Sequence, residues 1–234
     1  MRAVLGGNGI GWGLGRTVKR STGLLPNQVS GLTGWWDASQ LTGLSENDPC
    51  STLPNLQGTA GRDFTSSSTA RPTYHANVKN GLSVLRFDGS NDYMAAGGTP
   101  ATYLKSDGTA GTMLVVCNPT SITLSNSNPW GNHGILAGSA DYFGLYAKSG
   151  SPATVVAYTW LSGIRSVSAN LPGANNWVVI GFRLNGSTMK VSVNGGAESS
   201  GTSDGINVAS GLSGQFRAGA GGSQFFAGDM GEWP

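Results

Sequence analysis

An all-β fold of antiparallel strands is predicted by three observations. In NGLSVLRFDGSNDY (80–93), the apolar residues Leu82, Val84, Leu85 and Phe87 run into Asp88-Gly89 and the polar cluster Ser90-Asn91-Asp92. Alternation at period two that ends in Gly, Asn and Asp reads as a strand, a tight turn and the start of the next strand. In NWVVIGFRLNGSTMKVSVNGG (176–196), two alternating runs flank Asn185-Gly186, the strongest short-range hairpin signal. The composition agrees: 38 glycines and only 11% charged residues suit many short strands joined by turns. A chain of 234 residues fits one large sandwich-sized domain, and seven Trp, seven Phe and six Tyr can fill a core.

The elements follow in order. Residues 1–30 form a separate Gly-rich segment, too flexible to pack as a regular element alone. Its GGNGIGWGLG run is not a nucleotide loop. Counted from Gly7 or Gly9, the last position of G-x-G-x-x-G falls on Trp12 or Leu14, no strand precedes it, and no Lys-Ser/Thr follows. The body begins near Gly31 with GLTGWWDAS, a first strand that sends Trp35 and Trp36 to opposite faces. Residues 40–79 are loop-rich and end in ARPTY, where Pro72 sets an extended entry. The 80–93 block comes next, then the strand TMLVVCNP, and then a polar loop over 120–133. GILAGSA, YFGLYAK and ATVVAYTW read as further strands, followed by the hairpin, QFRAGAGG and the closing FFAGDMGEW. Trp35, Trp36, Phe87, Trp177 and Phe182 fall at alternating strand positions and are expected in the core.

Charge is unevenly spread. Arg2, Arg16, Lys19 and Arg20 make the first 20 residues basic with no acid among them. Removing those four from the chain's 14 cations leaves ten against 12 acids in the remainder. A basic arm on a slightly acidic body suits docking onto an acidic neighbour or nucleic acid, the neighbour being another subunit met by Trp12, Arg16, Lys19 and Arg20; the bland alternative is a solvated terminus. Nucleic acid is not the expected partner. Two cysteines cannot make a disulfide scaffold. Cys117, in the apolar run MLVVC, reads as a buried thiol, Cys50 lies in a polar loop, and whether they pair is left open. No apolar stretch is long enough to span a membrane, and glycines interrupt any signal-peptide core.

Catalytic patterns are thin. Glycoside hydrolysis needs two carboxylates about 5–9 Å apart. The three glutamates, Glu46, Glu198 and Glu232, are scattered, and Asp229 and Asp204 do not complete an acid-x-acid pattern with them. His75 and His133 have no nucleophile motif around them, and no zinc-ligand spacing occurs. No enzyme activity and no cofactor are expected. Sugar binding needs an aromatic platform with amide or carboxylate groups beside it. The polar loop supplies Asn128, Trp130, Asn132 and His133, bordered by Tyr142, as a candidate surface for glycan or protein.

GLTGWWDAS, ARPTY with NGLSVLRFDGSNDY, TMLVVCNP, the 176–196 hairpin and FFAGDMGEW, in this order over 31–234, resemble concanavalin A-like, laminin-G-type lectin domains. The resemblance implies a jelly-roll sandwich of two antiparallel sheets that binds glycans or other surfaces and catalyses nothing. Its "GL…WWDAS" form is similar to domains of bacteriophage virion proteins and bacterial surface proteins. It therefore implies a structural protein of the virion, tail-associated or on the capsid surface, contacting other virion subunits as a homo-oligomer and a host-surface glycan. The alternatives are a bacterial carbohydrate-binding module, extracellular or on the cell surface, and a glycoside hydrolase on the same fold. Related sandwiches often hold Ca²⁺ at one rim through Asp, Asn and carbonyl oxygens. That implies Asp88, Asn91 and Asp92 here, joined by Asp141 or Asp229, against the alternative that Asp88 and Asp92 cap turns. In those families the closing "GD-I-GE" strand continues further, so completion by another subunit is also an expectation.

Overall fold

The computed structural model describes residues 26–98, 103, 110–122, 134–138, 143–160, 164–203, 216–221 and 224–233. Within them, chain order gives β1 (Trp36–Asp37), β2 (Thr52–Leu53), β3 (Phe64–Thr65), β4 (Thr73–Lys79), β5 (Leu82–Asp88) and β6 (Met94–Ala96). Then come β7 (Ala110–Pro119), β8 (Gly134–Gly138), β9 (Phe143–Lys148), β10 (Thr154–Trp160), β11 (Ile164–Asn170) and β12 (Val178–Asn185). The last are β13 (Thr188–Val193), β14 (Ser199–Thr202), β15 (Phe216–Ala218), β16 (Ala220–Gly221), β17 (Gln224–Phe225) and β18 (Ala227–Trp233). The helical elements among the described residues are the short 3₁₀ turns Pro26–Gln28, Ala38–Gln40 and Ser68–Ala70, and none is long and apolar enough to cross a membrane.

Two antiparallel sheets form the sandwich. One runs β14-β13-β12-β7-β18-β5-β4, with β1 also against β18; the other runs β11-β10-β9-β8-β15-β6-β3-β2. Alternation decides what lies between them. Leu85, Phe87, Val115, Cys117, Ile180, Phe182 and Met230 point inward from the first sheet, and Phe64, Met94, Leu145, Val155, Ala157 and Phe216 from the second. At one end the filling is aromatic. Trp36 sits 4.5 Å from Phe64 and 5.6 Å from Tyr103, and Phe64 lies 6.1 Å from Trp233. Rings at such separations add about 0.5–1.5 kcal/mol per pair beyond area burial.

The closing strand is internal. β18 pairs with β7 along one edge and with β5, then β1, along the other. Its ladder is therefore completed within this chain. Two hairpins show turn chemistry at work. Lys79 pairs with Leu82 around Asn80-Gly81, both at positive φ (53° and 80°), the conformation that Asn-Gly favours in two-residue hairpins. In the 176–196 hairpin, Asn185 is still in the ladder opposite Thr188, so the loop is Gly186-Ser187, one residue beyond the Asn-Gly expected from sequence. Gly186 at φ 59° takes the first loop position, where a type II′ turn wants glycine.

Some expectations are corrected. The first strand is only two residues long, and Trp36 is buried while Trp35 is half-buried. Trp177 is likewise half-buried rather than core, whereas Phe87 and Phe182 are buried as expected. Cys50 lies in a loop as expected but is buried there, and both cysteines are free thiols. β11 and β14, polar on alternate positions, carry little apolar signal and were not foreseen; pairing with β10 and β13 defines them. Tyr146, Val156 and Tyr158 form a second buried cluster on the face of β9 and β10 opposite the core, so these strands are covered on both sides.

Candidate functional site

The 88–92 turn is built from its own carboxylates. Asp88 Oδ1 accepts from the backbone N–H groups of Ser90 (2.7 Å), Asn91 (3.1 Å) and Asp92 (3.3 Å), and Asp92 Oδ2 accepts from the N–H of Asp88 (3.0 Å). Asn91 Nδ2 donates to the carbonyl of Thr69, tying the turn to the segment before β4. Burial alone would push Asp88 up, but these backbone N–H bonds outweigh it and hold the carboxyl below its usual range. Asp92 has fewer donors. Burial pushes it up to about 6 against the single N–H of Asp88, and the charge of Asp88 adds to the rise.

The structure thus brings Asp88, Asn91 and Asp92 together as a self-capped turn. Asp229 is elsewhere in chemistry: it is buried and takes Arg86 Nε (2.6 Å) and Nη2 (3.2 Å) in a two-pronged ion pair across β5 and β18. Among the described residues, no group of three or more His, Cys, Asp or Glu side chains is placed to hold a metal ion.

Around this turn lies a cleft of about 510 Å³, lined by Arg71, Thr73, Arg86, Asp88, Asp92 and Thr120. Three elements place them. Arg71 follows the 3₁₀ turn Ser68–Ala70. Thr73 opens β4 directly opposite Arg86 on β5. Thr120 follows β7, its N–H bonded to the carbonyl of Ala227. The side chains differ in freedom. Arg86 is committed to Asp229, whereas the Nε of Arg71 is buried with no hydrogen-bond partner.

Behind Thr73 runs a hydrogen-bonded chain that sequence spacing did not reveal. His75 Nδ1 meets Glu46 Oε1 at 2.5 Å, and its Nε2 meets Thr73 Oγ1 at 3.1 Å. Glu46 Oε2 also accepts from the N–H of Ala76. That backbone bond, followed by His75, holds the Glu46 carboxyl below its usual range. With Glu46 as acceptor, the neutral ring carries its proton on Nδ1, and the Thr73 hydroxyl donates to Nε2. Residues 73 and 75 share one face of β4, a legible alternation; Glu46 comes from a loop 29 residues earlier, which no local pattern signals.

A second pair of acids is also brought together by strand pairing. Asp37 on β1 lies opposite Glu232 on β18. Burial raises the Glu232 carboxyl, against the donated indole N–H of Trp35 (2.9 Å), and the charge of Asp37 adds to the rise. Asp37 accepts from the N–H of Ser39, capping the turn Ala38–Gln40.

The remaining candidates, Asn128, Trp130, Asn132, His133, Tyr142 and Asp141, lie outside the described residues, as do Trp12, Arg16, Lys19 and Arg20 of the arm.

No family profile and no curated protein matches the chain. Solved structures resemble it at low identity. Tailspike protein 2 of Escherichia coli O157:H7 bacteriophage CAB120 is 13% identical, over 83% of this chain and 26% of its own, with a TM-score of 0.45. Mouse laminin α1 domains LG4-5 are 13% identical over 76% of this chain and 46% of theirs, with a TM-score of 0.43. Domain 4 of the GH43 arabinanase AbnA from Geobacillus stearothermophilus, in complex with arabinotriose, is 15% identical over 86% of this chain and 90% of its own, with a TM-score of 0.41. The chain therefore spans about a quarter of the tailspike and under half of the laminin fragment. The antiparallel β-sandwich of this chain stands on its own strand pairing.

Proposed function

We propose that this chain is a non-catalytic structural protein of a bacteriophage virion, tail-associated or on the capsid surface, whose lectin-like domain contacts a glycan or another protein. One observation carries the reading. Three of the pieces that carry the laminin-G-type resemblance, those containing WWD, RFDG and GDMGEW, meet on a single ladder: β1 and β5 both pair with β18. Sequence pieces separated by as much as about 200 residues thus form one structural unit. In this reading the basic arm with Trp12, Arg16, Lys19 and Arg20 docks on neighbouring copies, and the loop carrying Asn128, Trp130, Asn132 and His133, with Tyr142, meets the glycan. The location is the virion.

The test is mass spectrometry of purified particles, with limited proteolysis of residues 1–30. The chain is expected in stoichiometric amount, with the arm cut in the isolated protein and protected in the particle. Absence from purified particles sinks the virion role and leaves the carbohydrate-binding module, for which glycan-array binding lost in Trp130→Ala is the signature. A hydrolase on this fold has one observation in its favour, the Asp37–Glu232 pair. Polysaccharide turnover abolished by Glu232→Gln would establish it in place of the non-catalytic reading.

A further inference from the structure

We propose that the outer face of the first sheet, where Leu114, Val116 and Val179 adjoin Asp37 and Glu232, receives the basic N-terminal arm, residues 1–25, of a neighbouring copy of this chain. The proposal deepens the arm docking proposed above by naming the surface that takes the arm, and it rests on that reading for its place in an assembly.

Alternation sets the face. Val115, Cys117, Val178, Ile180, Trp36 and Trp233 are buried in the core. Their strand neighbours Leu114, Val116, Val179, Asp37 and Glu232 therefore point the other way. Register then aligns them. Val179 lies opposite Val116, Val116 opposite Glu232 and Glu232 opposite Asp37, one row across β12, β7, β18 and β1. At a strand spacing of about 4.8 Å the row is about 15 Å long. Leu114, two residues from Val116 on β7, extends its apolar part into the wall of a pocket of about 730 Å³. Leu114 is 39% exposed and Val179 42%, whereas Tyr146, Val156 and Tyr158 on the outer face of the second sheet are buried. The first sheet thus presents a bare apolar face where the second is covered.

Charge names the occupant. Neither Asp37 nor Glu232 is paired with a cation among the described residues: Asp37 caps the turn Ala38–Gln40 and Glu232 accepts from Trp35. Burial and the charge of Asp37 hold the Glu232 carboxyl above its usual range, a cost that an arriving cation relieves. The basic groups on this face are already engaged, Arg86 with Asp229, and Arg183 and Lys190 with Glu198 at the β12–β13 edge. The like face of a second copy would set acid against acid, so it does not fit. A segment both apolar and cationic does. In the arm, Ile10, Trp12 and Leu14 run into Arg16, Lys19 and Arg20, with no acid among the first 20 residues.

The root of the arm points to exchange between copies. The described chain begins at Pro26, which lines the same pocket as Leu114. The giving root and the receiving face adjoin on one molecule, so two copies related by a two-fold can each give an arm where they receive one. The 25 residues before Pro26 reach roughly 80 Å when extended, several times the length of the row.

Zero-length carbodiimide cross-linking of mixed heavy-isotope and unlabelled full chain, read by mass spectrometry, tests the docking. The reagent joins an amine to a carboxylate, and Lys19 is the one lysine of the arm. The expected products join Lys19 of a heavy copy to Asp37 or Glu232 of a light one, and the reverse. Sedimentation velocity should show self-association weakened about tenfold or more by Val179→Lys, at an exposed position. The arm variant Arg16→Glu, Lys19→Glu and Arg20→Glu, which leaves every described residue unchanged, should weaken it as much. Cross-links confined to single copies place the arm on its own domain and overturn the proposal. So does a wild-type chain that does not self-associate, or association unchanged in either variant. Glycan-array binding lost in Val179→Lys, without any heavy-to-light cross-link, gives the face to a saccharide and overturns it too. Each of these leaves the virion role standing if the chain is found in particles; absence from particles with arm exchange intact removes the virion role and spares the docking face.

Discussion

Asp92 is an acid held against its preference. Its native carboxyl is pushed up to about 6, above the ordinary aspartate value, so between those two pH values the folded state binds the proton more tightly than the unfolded chain. Stability should therefore rise as pH falls through that window and be lower above it. Asp92→Asn keeps an acceptor for the Asp88 amide and removes the charge. It is expected to be neutral or stabilising at pH 7.5, by up to about 3 kcal/mol, and to flatten the melting temperature between pH 4 and 6.5. A variant clearly less stable at pH 7.5 with an unchanged profile would contradict this account. The neighbouring Gly89 has a different constraint: its φ is 77°, and an added Cβ would lie 2.7 Å from that of Ala227. Gly89→Ala should cost about 1–3 kcal/mol in denaturant unfolding. Because Asp88 and Asp92 already accept backbone N–H bonds, chelation with EDTA is expected to leave the melting temperature unchanged. The turn at 88–92 was legible from Asp-Gly and its polar run. The pair formed by Arg86 and Asp229 was not, since 143 residues separate them.

At the scale of elements, β18 is decisive. It lies between β7 and the β5–β1 edge, and its last strand residue, Trp233, is among the largest fully enclosed side chains. Trp233→Ala should cost about 3–5 kcal/mol, read as a shift in denaturant midpoint. A loss below about 1 kcal/mol would show that this strand end is not part of the core. Strands with alternation and a turn at each end, such as β5, β12 and β13, announced themselves. β2, β3 and β6 have two or three residues each and no readable period; they exist because a neighbour supplies the ladder. β10, read as a strand from ATVVAYTW, is covered on its second face as well, under the Tyr146–Tyr158 cluster.

Across the whole molecule, the two thiols report on integrity. Cys50 and Cys117 are both free and fully buried, and burial raises both thiol pKa values. A thiol reagent is expected to modify neither cysteine in the native protein and both after denaturation, with a melting temperature indifferent to reductant. Rapid native-state labelling would place at least one of them at the surface. Local pattern alone specified an all-β antiparallel chain, its principal hairpin, the 88–92 turn and most of the apolar face, because those depend on periods of two and on residues a few positions apart. Which strands became neighbours, and hence the meeting of Arg71, Thr73 and Asp92 in one cleft, of Glu46 with His75 and of Asp37 with Glu232, was set only when the chain closed into two sheets. Pairing over such separations depends on the summed burial of both layers, and no short window of residues contains that sum.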